Sequence, residues 1–436
     1  MLIRILVLLT ISASAWATPD IEQWQTGNGS KVLFVAAPEL PMIDIQIIFD
    51  AGSARDGKSN GVSMMTNAIM PEGAGKWNAD QLAERIEDVG AELGNSAHRD
   101  MFVMSIRSLT EKELLDQAVS TLTTILNEPT FPKDAFERER KRVLVALEQQ
   151  EQSPDAIAEK AFYQTLYADH PYANMPEGNK QSLEKLTTAD LKKFYQQYIV
   201  ASNAVVAIVG AVDTKKAKQL AESIVGKLPK GKKPAPIPPV ADLSGAVTKR
   251  IDFPSSQTHL MIGQPGMKRQ DKDYFALYLG NHALGGSGLV SIISDEIREK
   301  RGLAYSSYSY FSPMREAGPF IMGMQTRNDK ADEALTVSND VLKAFVKDGP
   351  TAKQLDASKQ NVIGGFAQKT DSNKKVLGYL GMIGFYDMPL DYLDTFIKQV
   401  ESTSLADVKR AFKQRLNPDK MVTVIVGGNE SPNGKN

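Results

Sequence analysis

Four histidines, His98, His170, His259 and His282, and not one cysteine are the whole stock of imidazole and thiol ligands in this 436-residue sequence. No two of the histidines are three or four residues apart, so no helical turn presents a pair to a metal ion. The missing cysteine removes disulfides, thiolate metal sites and a cysteine nucleophile together. A lone histidine is more often a core or surface residue than a ligand, so no metal is expected on this chain. The other stretch with chemical content is 287–310. A turn, Leu284-Gly285-Gly286-Ser287-Gly288, leads into a helix expected over 289–300 that ends in Arg298-Glu299-Lys300-Arg301. Gly302-Leu303-Ala304-Tyr305 follows. Taken singly, the glycines are a turn, and the basic end with Gly302 is an ordinary helix C-cap.

The elements that must carry these segments read as a duplication. Thr187-Thr188-Ala189-Asp190 opens a helix with a capping residue and an acidic first turn, and leads to the strand 204–210. Thr403-Ser404-Leu405-Ala406-Asp407 does the same before the strand 421–427. Asp190 to Gly210 and Asp407 to Gly427 are equally spaced, so the match includes the loop. A second pair keeps nearly the same offset. A long helix from Pro132 through Val143 is expected to end at Ser153, and one from Thr351 through Val362 at Ser372. Two ordered matches at one offset indicate an internal repeat, which sets His282 opposite Ala68. Strands are expected at 31–37, 43–49 and 101–106, then at 259–263 and 320–325, with helices between. The fold class is therefore α+β: two tandem homologous domains, each an antiparallel sheet with helices packed on one face. Five prolines among residues 229–239 make that stretch an extended, stiff connector. The domains are placed at 18–225 and 246–430, joined by a linker at 226–245, with a disordered tail at 431–436.

Together, the glycine turn, the Arg-Glu-Lys run and Gly302-Leu303-Ala304-Tyr305 resemble the C-terminal half of the pitrilysin/insulinase family, the inverzincin peptidases. Asp169-His170-Pro171-Tyr172 is similar to that family too, and the resemblance spans nearly the whole mature chain. It implies that Arg298 and Tyr305 correspond to an arginine–tyrosine pair that reaches across to the zinc site and holds the substrate backbone. Both side chains can donate to a peptide carbonyl and to the oxyanion that forms from it. The family's other signature, His-x-x-Glu-His, places two zinc ligands one turn apart with the general base between them. The matching helix follows Asn60-Gly61, and there Met64 and Ala68 stand for the histidines and Asn67 for the glutamate. Ala has no ligand atom, Met is a soft ligand ill suited to a zinc-hydroxide site, and Asn is no base at neutral pH. The family's third ligand is a glutamate on the later long helix. Glu148 lies near that place, where it reads more simply as a solvated helix residue. Met64, Met65, Ile69 and Met70 read as core or cleft lining.

Composition narrows the partners. Lys and Arg number 51 against 52 for Asp and Glu, a balance that speaks against nucleic acid or an anionic membrane surface. At the start, Arg4, an apolar run over 5–11 and Ala15-Trp16-Ala17 form a signal peptide, residues 1–17, implying export, to the periplasm. The run is too short for a membrane span. The favoured reading is a non-catalytic, substrate-binding subunit of a two-chain zinc metallopeptidase acting on peptides. Zinc then belongs to a homologous partner subunit, and a peptide pairs with a strand edge near 95–106. The alternative is a non-hydrolytic peptide-binding or scaffold protein of the same fold. A self-sufficient zinc peptidase with unusual ligands carries little weight.

Overall fold

The computed structural model describes residues 19–428; the proposed signal peptide and the tail at 431–436 lie outside them. The first half runs β1 (Glu22–Gln25), β2 (Lys31–Ala36), β3 (Met42–Phe49), α1 (Val62–Ile69), then a small hairpin, β4 (Gly73–Ala74) and β5 (Trp77–Asn78). It continues with α2 (Ala79–Glu87), β6 (Glu92–Ala97), β7 (Phe102–Leu109), α3 (Lys112–Asn127), α4 (Lys133–Gln150) and α5 (Pro154–Tyr167). It closes with α6 (Lys180–Lys185), α7 (Thr188–Tyr198), β8 (Ala204–Gly210) and α8 (Thr214–Val225). After a stretch without helix or strand, 226–246, the second half starts with β9 (Val247–Ile251) and β10 (Gln257–Met267). Next come α9 (Tyr274–Asn281), α10 (Ile292–Ser294), β11 (Ala304–Phe311) and β12 (Gly318–Arg327). The rest is α11 (Ala331–Asp348), α12 (Ala352–Gly364), α13 (Asn373–Phe385), α14 (Tyr392–Ser402), α15 (Leu405–Arg415) and β13 (Val422–Val426).

The duplication is visible in the strand order. One sheet is β1-β2-β8-β3-β7-β6, the other β9-β13-β10-β12-β11, so the second repeats the first without a counterpart of β1. Each contains a single parallel pairing, β2 with β8 and β9 with β13, so each sheet is mixed rather than wholly antiparallel. The repeated caps do the same work in both halves. Thr187 and Asp190 form a capping box at the start of α7, and Ser404 and Asp407 one at the start of α15. The glycines that end the following strands are required by close approach. A Cβ on Gly210 would sit 2.5 Å from the Met42 carbonyl oxygen, and one on Gly427 2.8 Å from that of Gln257.

The packing departs from a one-faced sheet. β8 reads Ala-Val-Val-Ala-Ile-Val-Gly and is buried at every position, the mark of a strand covered on both faces. Val206 and Ile208 join Ile43, Ile45, Ile47 and Phe49 under α1 and α3. Val205, Ala207 and Val209, with Leu33 and Ile48, face the other way and are covered by α13, which belongs to the second half. The exchange is reciprocal: α5, from the first half, lies on β10 and β13, with Ala158, Ala161 and Phe162 against Met261, Val422 and Val424. Glycines permit the close seating of α13. A Cβ on Gly384 would stand 2.6 Å from Val205 Cγ1 and 2.7 Å from Leu33 Cδ1.

Two helices differ from the sequence reading. The helix that begins after Thr351 stops at Gly364 and does not reach Ser372, because Gly364-Gly365 ends it; a short 3-10 turn over Ala367–Lys369 follows. The helix expected over 289–300 is broken. A π-type turn over His282–Gly286, a 3-10 turn over Gly288–Val290, α10 and a second π-type turn over Asp295–Glu299 take its place. Ser291 is extended and caps α10, which prevents one continuous helix.

The seating of α13 predicts opposite outcomes for two glycines on one helix. Gly384→Ala drives a methyl into Leu33 and Val205 and should cost about 1–3 kcal/mol. A Cβ on Gly378 meets nothing within 4 Å, so Gly378→Ala should raise stability by up to ~1 kcal/mol through helix propensity. Urea midpoints of the two variants check both signs.

Candidate functional site

Helix α1, which carries Met64, Asn67 and Ala68, is held by polar contacts at both ends. Its first residue follows Gly61, which has no side chain to cap with. Asp56 supplies the cap from outside: its carboxylate accepts from Gly61 N at 2.6 Å and Ser63 N at 3.0 Å. Burial pushes the Asp56 carboxyl up to about 8, against the two N–H donors, which favour the ionised form. At the other end Asn67 is 3% exposed and fully engaged. Its Nδ2 donates to the Val103 carbonyl of β7 at 3.0 Å, while Asn95 of β6 donates to Asn67 Oδ1 at 2.9 Å and to its backbone oxygen at 3.0 Å. A glutamate or aspartate here could receive the Asn95 proton but could not donate to Val103, so the amide is fitted to this place.

Met64 and Ala68, one turn apart, are both half-buried. Met65, Ile69 and Met70 are core residues with no exposure, so most of the methionine cluster packs the domain interior. Glu148 points to solvent: its side chain is 64% exposed and its one ion pair is with Lys180 at 3.7 Å. Residues 95–106, taken above as a strand edge, divide into two elements. β6 is an edge strand of its sheet, whereas β7 is interior, between β3 and β6.

The histidines are dispersed and mostly committed. His170 accepts from Tyr172 N through Nδ1 and meets the Pro238 carbonyl of the connector through Nε2 at 2.8 Å. His98 bonds Ser96, His259 lies 3.6 Å from Asp155, and His282 Nε2 is 3.0 Å from Asn361 Oδ1. Burial lowers the pKa of His98 and His282, so both rings are neutral at pH 7.

In the second half the pair sits at the surface. Arg298 lies in the π-type turn at the end of the broken helix; its Nε is 3.4 Å from Glu299 Oε1, and its side chain is 36% exposed. Gly302, at φ +60°, donates its N–H to the Arg298 carbonyl at 2.9 Å and turns the chain into β11. Tyr305 is 87% exposed. It lies where the register with β12 slips between Ala304 and Ser307, a bulge of the kind that re-aims side chains at strand ends. β11 is an edge strand, and Leu289 and Val290, in the preceding 3-10 turn, are also exposed.

Sequence reasoning missed three features here: the Asp56 cap, the Asn67–Asn95 clasp and the β11 bulge. The clasp had one visible signal, an asparagine at a buried helical position, where an unpaired amide would be costly.

An alanine, a half-buried thioether and an amide committed to Val103 and Asn95 do not make a zinc-hydroxide site. Residues 31–179 match the family model described as Insulinase (Peptidase family M16), and residues 185–362 match the model described as Peptidase M16 inactive domain. A solved structure from Pseudomonas fluorescens, described as a peptidase M16 inactive domain, is 39% identical and superposes with a TM-score of 0.91, covering 94% of this chain and 99% of that one. A Helicobacter pylori protein named non-peptidase homolog YmxG is 25% identical over 96% of both chains. A Bacillus subtilis protein named uncharacterized zinc protease YmxG is 21% identical over 95% of this chain and 99% of its own length.

Two outcomes follow from the polar contacts of α1. Asp56 binds its proton more tightly folded than unfolded, so its contribution to stability is full below about pH 4 and is lost as pH rises to about 8. The urea midpoint should therefore fall between pH 5 and pH 8, and Asp56→Asn, which keeps one acceptor oxygen, should flatten that fall. Asn67→Asp removes the donor to Val103 and should lower stability by about 1–3 kcal/mol, read in the same titration at pH 7.

Proposed function

The chain belongs to the insulinase family, peptidase family M16, and we propose that it acts there as the non-catalytic, substrate-binding subunit of a two-chain zinc peptidase. In this reading it is exported to the periplasm and pairs with a homologous subunit that carries His-x-x-Glu-His and the zinc ion. Its own part is to present Arg298 and Tyr305 to a peptide held at the partner's site.

The observation that carries the reading is the unequal state of the two halves. On α1 the three positions that would do chemistry are an alanine, a half-buried methionine and an asparagine bonded on all sides. In the second half Tyr305 is displayed in solvent, and Arg298 has one loose contact with a neighbouring carboxylate. A guanidinium with one loose contact, in the turn before the edge strand, and an exposed phenol at the start of that strand are ready to donate to a carbonyl. A donor of this kind acts by stabilising charge that develops on the substrate oxygen, and it can do so from a second subunit. No described helix is long and apolar enough to cross a membrane.

The test is reconstitution with zinc-bearing M16 relatives and an unstructured peptide. Association with one of them should produce cleavage, and Arg298→Ala should reduce kcat by about 10²–10³-fold, the usual loss for one oxyanion donor. Tyr305→Phe should reduce it as well. Failure of every relative to associate, or full activity with Arg298→Ala, sinks the reading and favours a pure scaffold.

A further inference from the structure

The two domains differ at one edge in a way that the duplication does not require. In the first sheet the outer edge of β2 is covered by β1, paired from Glu22 with Phe34 to Gln25 with Lys31. β9 holds the equivalent place in the second sheet, and among the described residues no strand pairs with its outer side. In a parallel ladder each residue turns both its N–H and its C=O to one side, and successive residues alternate. Val247 N donates to Met421 O at 3.0 Å, and Ile251 O accepts from Gly427 N at 3.1 Å. Val247, Lys249 and Ile251 therefore bond β13, and the backbone groups of Thr248 and Arg250 point outward.

Beside this open edge, between β9 and the helices α4 and α5, lies a cleft of about 300 Å³. Leu147, Ile157 and Ile251 give it an apolar lining, and Lys160, Lys180 and Lys249 line it too, with Glu151 the one carboxylate among its lining residues. Lys180 has only its loose pair with Glu148, and Lys160 and Lys249 make no ion pair among the described residues. Its volume is that of a small ligand site, large enough for one or two aliphatic side chains.

We propose that the outer edge of β9 accepts an extended segment of a partner polypeptide in which apolar and acidic side chains alternate. Thr248 and Arg250 would supply the backbone hydrogen bonds; because side chains alternate between faces, the acidic face of the segment would turn to Lys160, Lys180 and Lys249 in the cleft and its apolar face would turn away from it. Charge selects the occupant. A second copy of this chain, paired antiparallel about Lys249, would bring that lysine against its own image, a like-charge contact that opposes edge pairing, whereas Arg250 is already paired with Asp332 at 2.8 Å. An acidic strand reverses the sign of that term. The proposal concerns the edge of the sheet opposite β11 and stands apart from the reading of Arg298 and Tyr305.

The probe is an acetylated, amidated heptapeptide of alternating glutamate and valine, with a lysine–valine heptapeptide as control, added to the full chain. Anisotropy of the labelled peptides and amide hydrogen exchange are measured together. The glutamate peptide should bind and slow exchange at Thr248 and Arg250, and the lysine peptide should do neither. Thr248→Pro removes an outward donor without touching the ladder to β13, and should weaken binding at least tenfold. The double variant Lys160→Glu with Lys249→Glu should do the same, and it serves as the test by itself if the proline variant does not fold. Absence of binding at millimolar peptide, binding indifferent to both variants, or protection appearing at β6 or β11 overturns the proposal. So does slow exchange at Thr248 and Arg250 in the free chain that vanishes when residues 429–436 are removed, since the chain's own end would then fill the edge.

Discussion

One buried carboxylate, Asp100, sits where the two halves meet and ties them together. It lies in the turn between β6 and β7 and accepts three bonds: from Tyr172 Oη at 2.6 Å, from Arg315 N at 2.7 Å and from Tyr386 Oη at 3.0 Å. Arg315 is in the turn between β11 and β12, the counterpart of Asp100's own turn in the repeat. Tyr172 follows α5, and Tyr386 caps the end of α13, so the ends of both exchanged helices converge on the two oxygens of one carboxylate. Burial pushes the Asp100 carboxyl up, opposed by these donors and by the Arg315 charge. The pseudo-symmetric junction thus carries an asymmetric polar centre, and removing it would leave two phenols and an amide without their acceptor.

The helix exchange makes this junction structural rather than incidental. Neither sheet covers its second face with helices of its own half; α13 serves the first sheet and α5 the second. The halves share one continuous packing problem, and the angle between their sheets is fixed by side chains in van der Waals contact. Edge strands β6 and β11 are therefore held in a set relation. Peptide recognition that spans two domains needs such a frame, since binding energy is lost wherever the receptor must first be ordered. The short Arg315 region reinforces it, with the guanidinium over the Phe385 ring at 4.4 Å and bonded to the Phe385 carbonyl.

Much of this was legible in the sequence, and the physical reasons for the remainder are particular. The repeat was visible because caps and strand-ending glycines recur at fixed spacing, and those residues are dictated by local geometry. Strands β2, β3, β8, β12 and β13 followed from their apolar runs within one or two residues. The exchange was not visible: α5 and α13 look like any amphipathic or apolar helix, and nothing local tells a helix which sheet it will meet. The fully apolar β8 was a hint, because a one-faced strand alternates and this one does not. The broken segment before Arg298 was misread because Ser291 has no propensity strong enough to announce an extended residue. At α1 the absence of histidine and glutamate was plain from residue types, but the tight polar engagement of Asn67 required the third dimension, since Asn95 and Val103 are remote in sequence.

The replacement at Asn67 bears on how catalysis and stability trade against each other in this fold. A general base on a zinc helix must be left partly unsatisfied, poised to take a proton, and such a group is a cost to the folded state. Here that position holds an amide whose donor and acceptor are both used, tying α1 to β6 and β7. At this position the first half gains cohesion. The second half has not been smoothed in the same way. Its β11 edge keeps Tyr305, Leu289 and Val290 in solvent beside unpaired backbone, a combination that invites unwanted association. The opposite edge, β9, instead bears Lys249, and Arg250 paired with Asp332, so it repels a second copy of itself. Two edges of one sheet treated so differently imply different demands: a charged edge stands in water until a strand of opposite charge meets it, whereas an apolar one is tolerated where another surface covers it.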